Sequence, residues 1–128
     1  MMAEINTTWE YNGQKFTLDM NDLDDLERFD KAKQAQQRAT AKLLPGANEA
    51  RDLIAYCEGI RALFDTLFGE GTAEKLLGNT KKPTDYDAVF ESFYDFLYDQ
   101  TKEIAERRAK MLAKYKPNRE QRRILEKK

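Results

Sequence analysis

The residues able to do chemistry are few, and what is missing narrows the choice. The chain has one cysteine, Cys57, and no histidine. It therefore lacks the commonest general base and the commonest transition-metal ligand, and it has no means of building an internal disulfide or a multi-Cys zinc site. Cys57 falls on an apolar helical stripe, where a thiol reads as a small core residue. Carboxylates pair at helical spacing, Asp22 with Asp25 and Asp95 with Asp99. With no ligand set or base beside them they read as solvated helix surface, and the EF-hand spacing with its central Gly and terminal Glu is missing. Gly69-Glu70-Gly71 lacks the Lys-Ser or Lys-Thr and the preceding strand of a phosphate loop, so it reads as a helix stop and restart. These residues predict a protein that is not an enzyme, with no cofactor, no metal and no small-molecule substrate.

What is left is the chemistry of binding. Tyr86, Tyr94 and Tyr98 lie eight and four residues apart, on one flank of a helix, and each joins apolar area to a polar tip. They read as core edge or as a docking surface for another helix. From residue 107 to the end, ten Lys or Arg stand against two Glu, a net of +8, and since the whole chain carries −1 the first 106 residues carry −9. Such asymmetry separates an acidic body from a basic tail. Arg119, Arg122 and Arg123 could neutralise phosphates, with the steep salt dependence that implies. No aromatic residue follows Tyr115 to stack on bases, however, and no nucleic-acid fold motif precedes the tail. A solvated or protein-docking tail is the first reading, and nucleic acid the alternative.

The elements that must position these groups are mostly helices. A charged fraction of 35% in 128 residues suits long helices with one wide face in water around a single modest core. Trp9 to Leu18 alternates on both sides of Asn12-Gly13, which predicts a β-hairpin with a type I′ turn and Trp9, Tyr11, Phe16 and Leu18 on its apolar face. Asp19 or Asn21 is a candidate cap for a first helix over about 22–43, with Leu23, Leu26, Phe29, Ala32, Ala39 and Leu43 as its stripe. A second helix over about 48–68 has the cleanest periodicity, Leu53, Cys57, Ile60, Phe64 and Leu67 being spaced four, three, four and three. A short helix over 72–77 closes at Gly78.

The last helix, over about 84–115 with Thr84 as its cap, divides in two. Val89, Phe90, Phe93, Tyr94, Phe96, Leu97 and Tyr98 surround its first half with apolar groups, since a turn takes about 3.6 residues. Beyond them only Ile104, Met111 and Leu112 interrupt Arg107, Arg108, Lys110 and Lys114, so this half reads as half-solvated or as waiting for a partner. The expected fold class is mainly α, a small helical bundle over 1–116 with an N-terminal hairpin (about 9–18) and a long C-terminal helix. A basic tail over 117–128 follows. No apolar run approaches the roughly 20 residues needed to span a bilayer, and the start has no signal-peptide character, so a cytoplasmic protein is expected.

The order of parts also carries a resemblance. Tyr11-Asn12-Gly13-Gln14-Lys15-Phe16 is followed by Leu26-Glu27-Arg28-Phe29 and then by Phe64-Asp65-Thr66-Leu67-Phe68-Gly69-Glu70-Gly71-Thr72-Ala73. The ending Lys114-Tyr115-Lys116-Pro117-Asn118-Arg119-Glu120-Gln121-Arg122-Arg123 completes the set. Together they resemble small proteins of siphophages and prophages of Gram-positive bacteria, the tail assembly chaperones. The resemblance implies a non-enzymatic protein of the bacterial host cytoplasm that coats the helical tape measure protein and meets tail tube subunits. A homo-oligomer is also expected. The family has no catalytic motif to transfer. The partner surface expected from the residues comprises Phe90, Phe93, Tyr94, Leu97 and Tyr98 together with the stripe of the second helix, and Arg119, Arg122 and Arg123 give an accessory contact. The alternatives are a nucleic-acid-binding accessory protein and a structural head–tail component.

Overall fold

The computed structural model describes residues 5–41 and 49–115. Two strands, β1 (Thr8–Tyr11) and β2 (Gln14–Thr17), precede four helices, α1 (Leu23–Thr40), α2 (Glu49–Phe68), α3 (Thr72–Leu77) and α4 (Pro83–Tyr115). The mainly α fold with an N-terminal hairpin and a long last helix is the one expected.

The hairpin forms where the turn chemistry requires it. Asn12 and Gly13 both take positive φ (50° and 74°), and the strands pair antiparallel with Trp9 opposite Phe16 and Tyr11 opposite Gln14. A lone hairpin is marginal in water, and this one lies on the helices. Trp9 stacks on Phe64 (centroids 5.5 Å apart) and meets Phe93 edge-on (5.2 Å), while its Nε1 donates to Ser92 Oγ at 3.1 Å. At the turn, Asn12 Nδ2 donates to the Leu76 carbonyl of α3 at 3.0 Å.

Helix α1 is capped by Asp22, whose Oδ1 accepts from the Asp25 N–H at 3.0 Å; the candidates Asp19 and Asn21 lie three residues and one residue upstream. Asp25 in turn accepts from the Asp19 N–H at 2.8 Å. Of the expected stripe, Leu43 lies outside the described residues; among the rest only Phe29 and Ala32 are buried, Ala39 is half-buried, and Leu23 and Leu26 are exposed. The face of α1 toward α2 is set instead by close approach. A Cβ on Gly59 would lie 3.1 Å from Thr40 Cγ2 and 3.3 Å from the Gln36 carbonyl oxygen. Gly59→Leu should therefore lower stability by about 1–3 kcal/mol, the usual cost of overpacking, despite a better helix former replacing glycine. Urea denaturation of both proteins measures it, and an unchanged midpoint would mean that the two helices can separate freely.

The break between α2 and α3 follows the chemistry of Gly69-Glu70-Gly71. Both glycines have positive φ (110° and 90°), and Asp65 Oδ1 accepts from the Ala73 N–H at 2.8 Å, capping α3 from the preceding helix. Helix α4 begins at Pro83, where a missing N–H costs nothing and the fixed φ already suits a helix, so Thr84 is its second residue and not its cap. Its inward face is Tyr86, Val89, Phe93, Phe96, Leu97 and Gln100. Beyond Gln100 contact with the body thins to a shallow hollow where Ile104, Arg107, Arg108 and Met111 meet Ile5 and Asn21. Over 101–115 only Ile104 and Arg107 are half-buried, leaving an arm of about 22 Å at about 1.5 Å per residue.

Candidate partner-binding surface

The expected surface residues separate once the helix is placed. Phe93 and Leu97 are core, a correction with a simple cause: they lie on the face that α4 turns toward Trp9, Phe64 and Phe29. Phe90 and Tyr94 are half-buried, with ring centroids 4.5 Å apart, and pack at the edge of that core. Burial raises the Tyr94 pKa above that of an ordinary phenol. Tyr98 is 65% exposed. Arg119, Arg122 and Arg123, and the tail as a whole, lie outside the described residues.

Helix α2 also divides. Ile60, Leu63, Phe64 and Leu67 are buried, whereas Leu53 is 46% and Ile54 60% exposed. Cys57, expected in the core, is half-buried, because it packs at the core's edge and borders an open groove. These residues border a groove of about 380 Å³ between α2 and the start of α4, with Arg61 further along α2 and Pro83 and Tyr86 across it. Leu53 and Cys57 were legible from periodicity; Ile54 falls off the stripe.

Sequence reasoning missed the groove's polar floor. Arg61 Nε donates to Tyr86 Oη at 2.7 Å and Nη2 to the Gly78 carbonyl at 2.8 Å, and Tyr86 Oη donates to the Thr80 carbonyl at 3.2 Å. The guanidinium also lies over the Tyr86 ring, 5.4 Å from its centroid. This network joins α2, the α3–α4 connection and α4, so the groove's two walls are fixed relative to one another. Nearby, Tyr56 Oη donates to Asp87 Oδ1 at 2.5 Å. Burial, aided by that carboxylate, pushes the Tyr56 pKa up to about 12. Burial also raises the Cys57 thiol, with Asp87 adding to the rise and Arg61 opposing it. Both groups keep their protons at pH 7, so neither adds charge at or beside the groove.

Among the described residues no cluster of three or more His, Cys, Asp or Glu could hold a metal ion, and no helix is long and apolar enough to cross a membrane. No curated protein and no solved structure matches the chain. One family model does match, over residues 12–126, which is most of the chain including every helix described above, and the protein thus belongs to DUF6673, a family of unknown function.

Proposed function

We propose that this protein is a tail assembly chaperone, a non-enzymatic partner that holds helical segments of a tape measure protein in the host cytoplasm. The observation that carries the reading is the groove bounded by Leu53, Ile54, Cys57 and Pro83. It is apolar and open, and its walls are held by the Arg61–Tyr86 network, as docking of an amphipathic helix through residues at i, i+3, i+4 and i+7 requires. The resemblance of the hairpin, the Phe68–Ala73 turn and the basic ending to chaperones of this kind supplies the choice of partner. The tail beyond the arm adds a contact to acidic partners or tube subunits.

Co-expression with the tape measure protein encoded beside it should raise that protein's soluble fraction. Leu53→Asp with Ile54→Asp should abolish the gain. Losing the burial of two such side chains removes about 3–6 kcal/mol of binding, on the order of a hundredfold or more in affinity, while the variant's own melting temperature stays close to that of the parent because both side chains are exposed. Tape measure solubility that does not respond to the parent protein overturns the proposal. Gel shifts on duplex and single-stranded DNA at two salt concentrations address the nucleic-acid alternative, since phosphate contacts weaken as salt rises.

A further inference from the structure

We infer that residues 117–128, the basic tail that follows α4, dock into a groove between β1 and α4 of their own chain. The inference is independent of the chaperone reading, which rests on a different groove. This one measures about 770 Å³, within the range of about 300–1,000 Å³ usual for binding clefts. One wall is a single face of α4, since Ser92, Phe96, Asp99 and Glu103 are four, three and four residues apart and fall within about 60° of one another at about 100° per residue. Opposite them lie Ile5, Glu10 of β1 and Lys15 of β2. Carboxylates therefore adjoin apolar area. Glu103 is paired with Arg107 at 3.1 Å, but both side chains reach solvent, so that ion pair is weak and open to exchange. Glu10 stands across from Lys15 in the strand register. Asp99 is exposed and makes no ion pair among the described residues.

Charge and reach both select the tail as the occupant. Residues 117–128 hold five Lys or Arg against two Glu, a net of +3, whereas the first 106 residues carry −9. Arg122 and Arg123 are followed at once by Ile124 and Leu125, so a cationic pair adjoins an apolar pair, as the carboxylates of the groove adjoin Phe96. From Tyr115 back to Asp99 is 16 residues of helix, about 24 Å at about 1.5 Å per residue. Arg123 lies eight residues past Tyr115, a reach of up to about 26 Å at about 3.3 Å per residue. Phe96 is 19 residues back and Leu125 ten residues on, about 28 Å and 33 Å by the same two rises. An extended tail laid antiparallel along this face thus sets Arg122 and Arg123 beside Glu103 and Asp99, and Ile124 and Leu125 beside Phe96. Pro117 favours the reversal, since proline is a poor continuation of a helix and disfavours helix in the residue before it. The long arginine side chains cover the residue or two spent on the turn.

A nitroxide attached at Gln121→Cys in the full chain, with Cys57→Ser to leave one thiol, tests this by NMR. At low salt the amide signals of Glu10, Asp99 and Glu103 should lose at least half their intensity, while those of Leu53 and Ile54, on the other groove, keep theirs. Raising the ionic strength from about 0.01 M to about 1 M shortens the screening length from about 30 Å to about 3 Å and should restore most of the loss. Asp99→Lys with Glu103→Lys should restore it at low salt, and so should Arg122→Glu with Arg123→Glu. Circular dichroism checks that each variant folds. Should Cys57→Ser not fold, the parent protein and the Arg122→Glu, Arg123→Glu variant are compared without a label: the same three signals should shift between them at low salt, and unshifted signals overturn the inference. In a mixture where only the unobserved copies carry the nitroxide, the observed copies should show no broadening, because the contact lies within one chain. Full intensity at Glu10, Asp99 and Glu103 at low salt, broadening that survives both charge reversals, or broadening passed between copies in the mixture would each overturn it as well.

Discussion

Replacing Trp9 by Ala should remove about 3–5 kcal/mol of folding stability, the range for truncating a buried aromatic. In a domain whose total is on the order of 5–15 kcal/mol, that is enough to leave a large unfolded fraction at 37 °C. The size follows from the number of elements the indole joins. It is buried, stacks against Tyr11, Phe64 and Phe68, and tilts onto Phe16 and Phe93. Removing it leaves β1 with no deep anchor and Ser92 Oγ without its indole donor. A hairpin so weakly held should detach before the helices separate. Trp9→Phe keeps most of the stacking and loses the hydrogen bond, so it should cost only about 1–2 kcal/mol. Urea denaturation followed by circular dichroism measures both. A loss below 1 kcal/mol for Trp9→Ala would show that the helices hold together without the hairpin.

The outline of this fold was written in local signals. Asn12-Gly13 marks the hairpin because both of its residues must adopt positive φ, and Gly69-Glu70-Gly71 marks the break after α2 for the same backbone reason. Periodicity gave each helix but not how far the body reaches along it. Leu53 and Phe64 share a stripe, yet one borders an open groove and the other is central core, because burial depends on where neighbouring helices end. The same limit placed Phe93 and Leu97 on a binding surface. Seven apolar residues between Val89 and Tyr98 do not say which side is turned inward, and that is decided by the hairpin, packed against α4 from a distant part of the sequence. The groove floor was illegible for a different reason: Arg61, Tyr86 and the Gly78 carbonyl are unremarkable singly and acquire a role only when three elements meet. Short markers of the resemblance also have a structural explanation. Gly69, Gly71 and Thr72 build the turn into α3, with Thr72 Oγ1 donating to the Gly69 carbonyl at 2.7 Å.

Gln100→Leu should be the second large perturbation, costing about 2–5 kcal/mol with almost no change in side-chain volume. Gln100 is buried; its Oε1 accepts from the Met20 N–H at 2.9 Å and its Nε2 donates to the Leu18 carbonyl at 2.7 Å. It therefore satisfies both backbone groups of the segment that leads from β2 into α1, and leucine would strand a donor and an acceptor, at about 1–3 kcal/mol each. Gln100→Glu separates the two bonds. A carboxylate can still accept from Met20, but it faces the Leu18 carbonyl with no proton to donate, so both burial and the missing donor raise its folded pKa above the unfolded value near 4.3. A raised acid contributes stability that is fully present below the unfolded pKa and is lost as pH rises through the folded one. The Glu variant should accordingly be more stable at pH 4 than at pH 7 relative to the parent protein, whereas the Leu variant should show the same deficit at both. Thermal melts at the two pH values decide this, and equal deficits for Glu would show that water reaches the site.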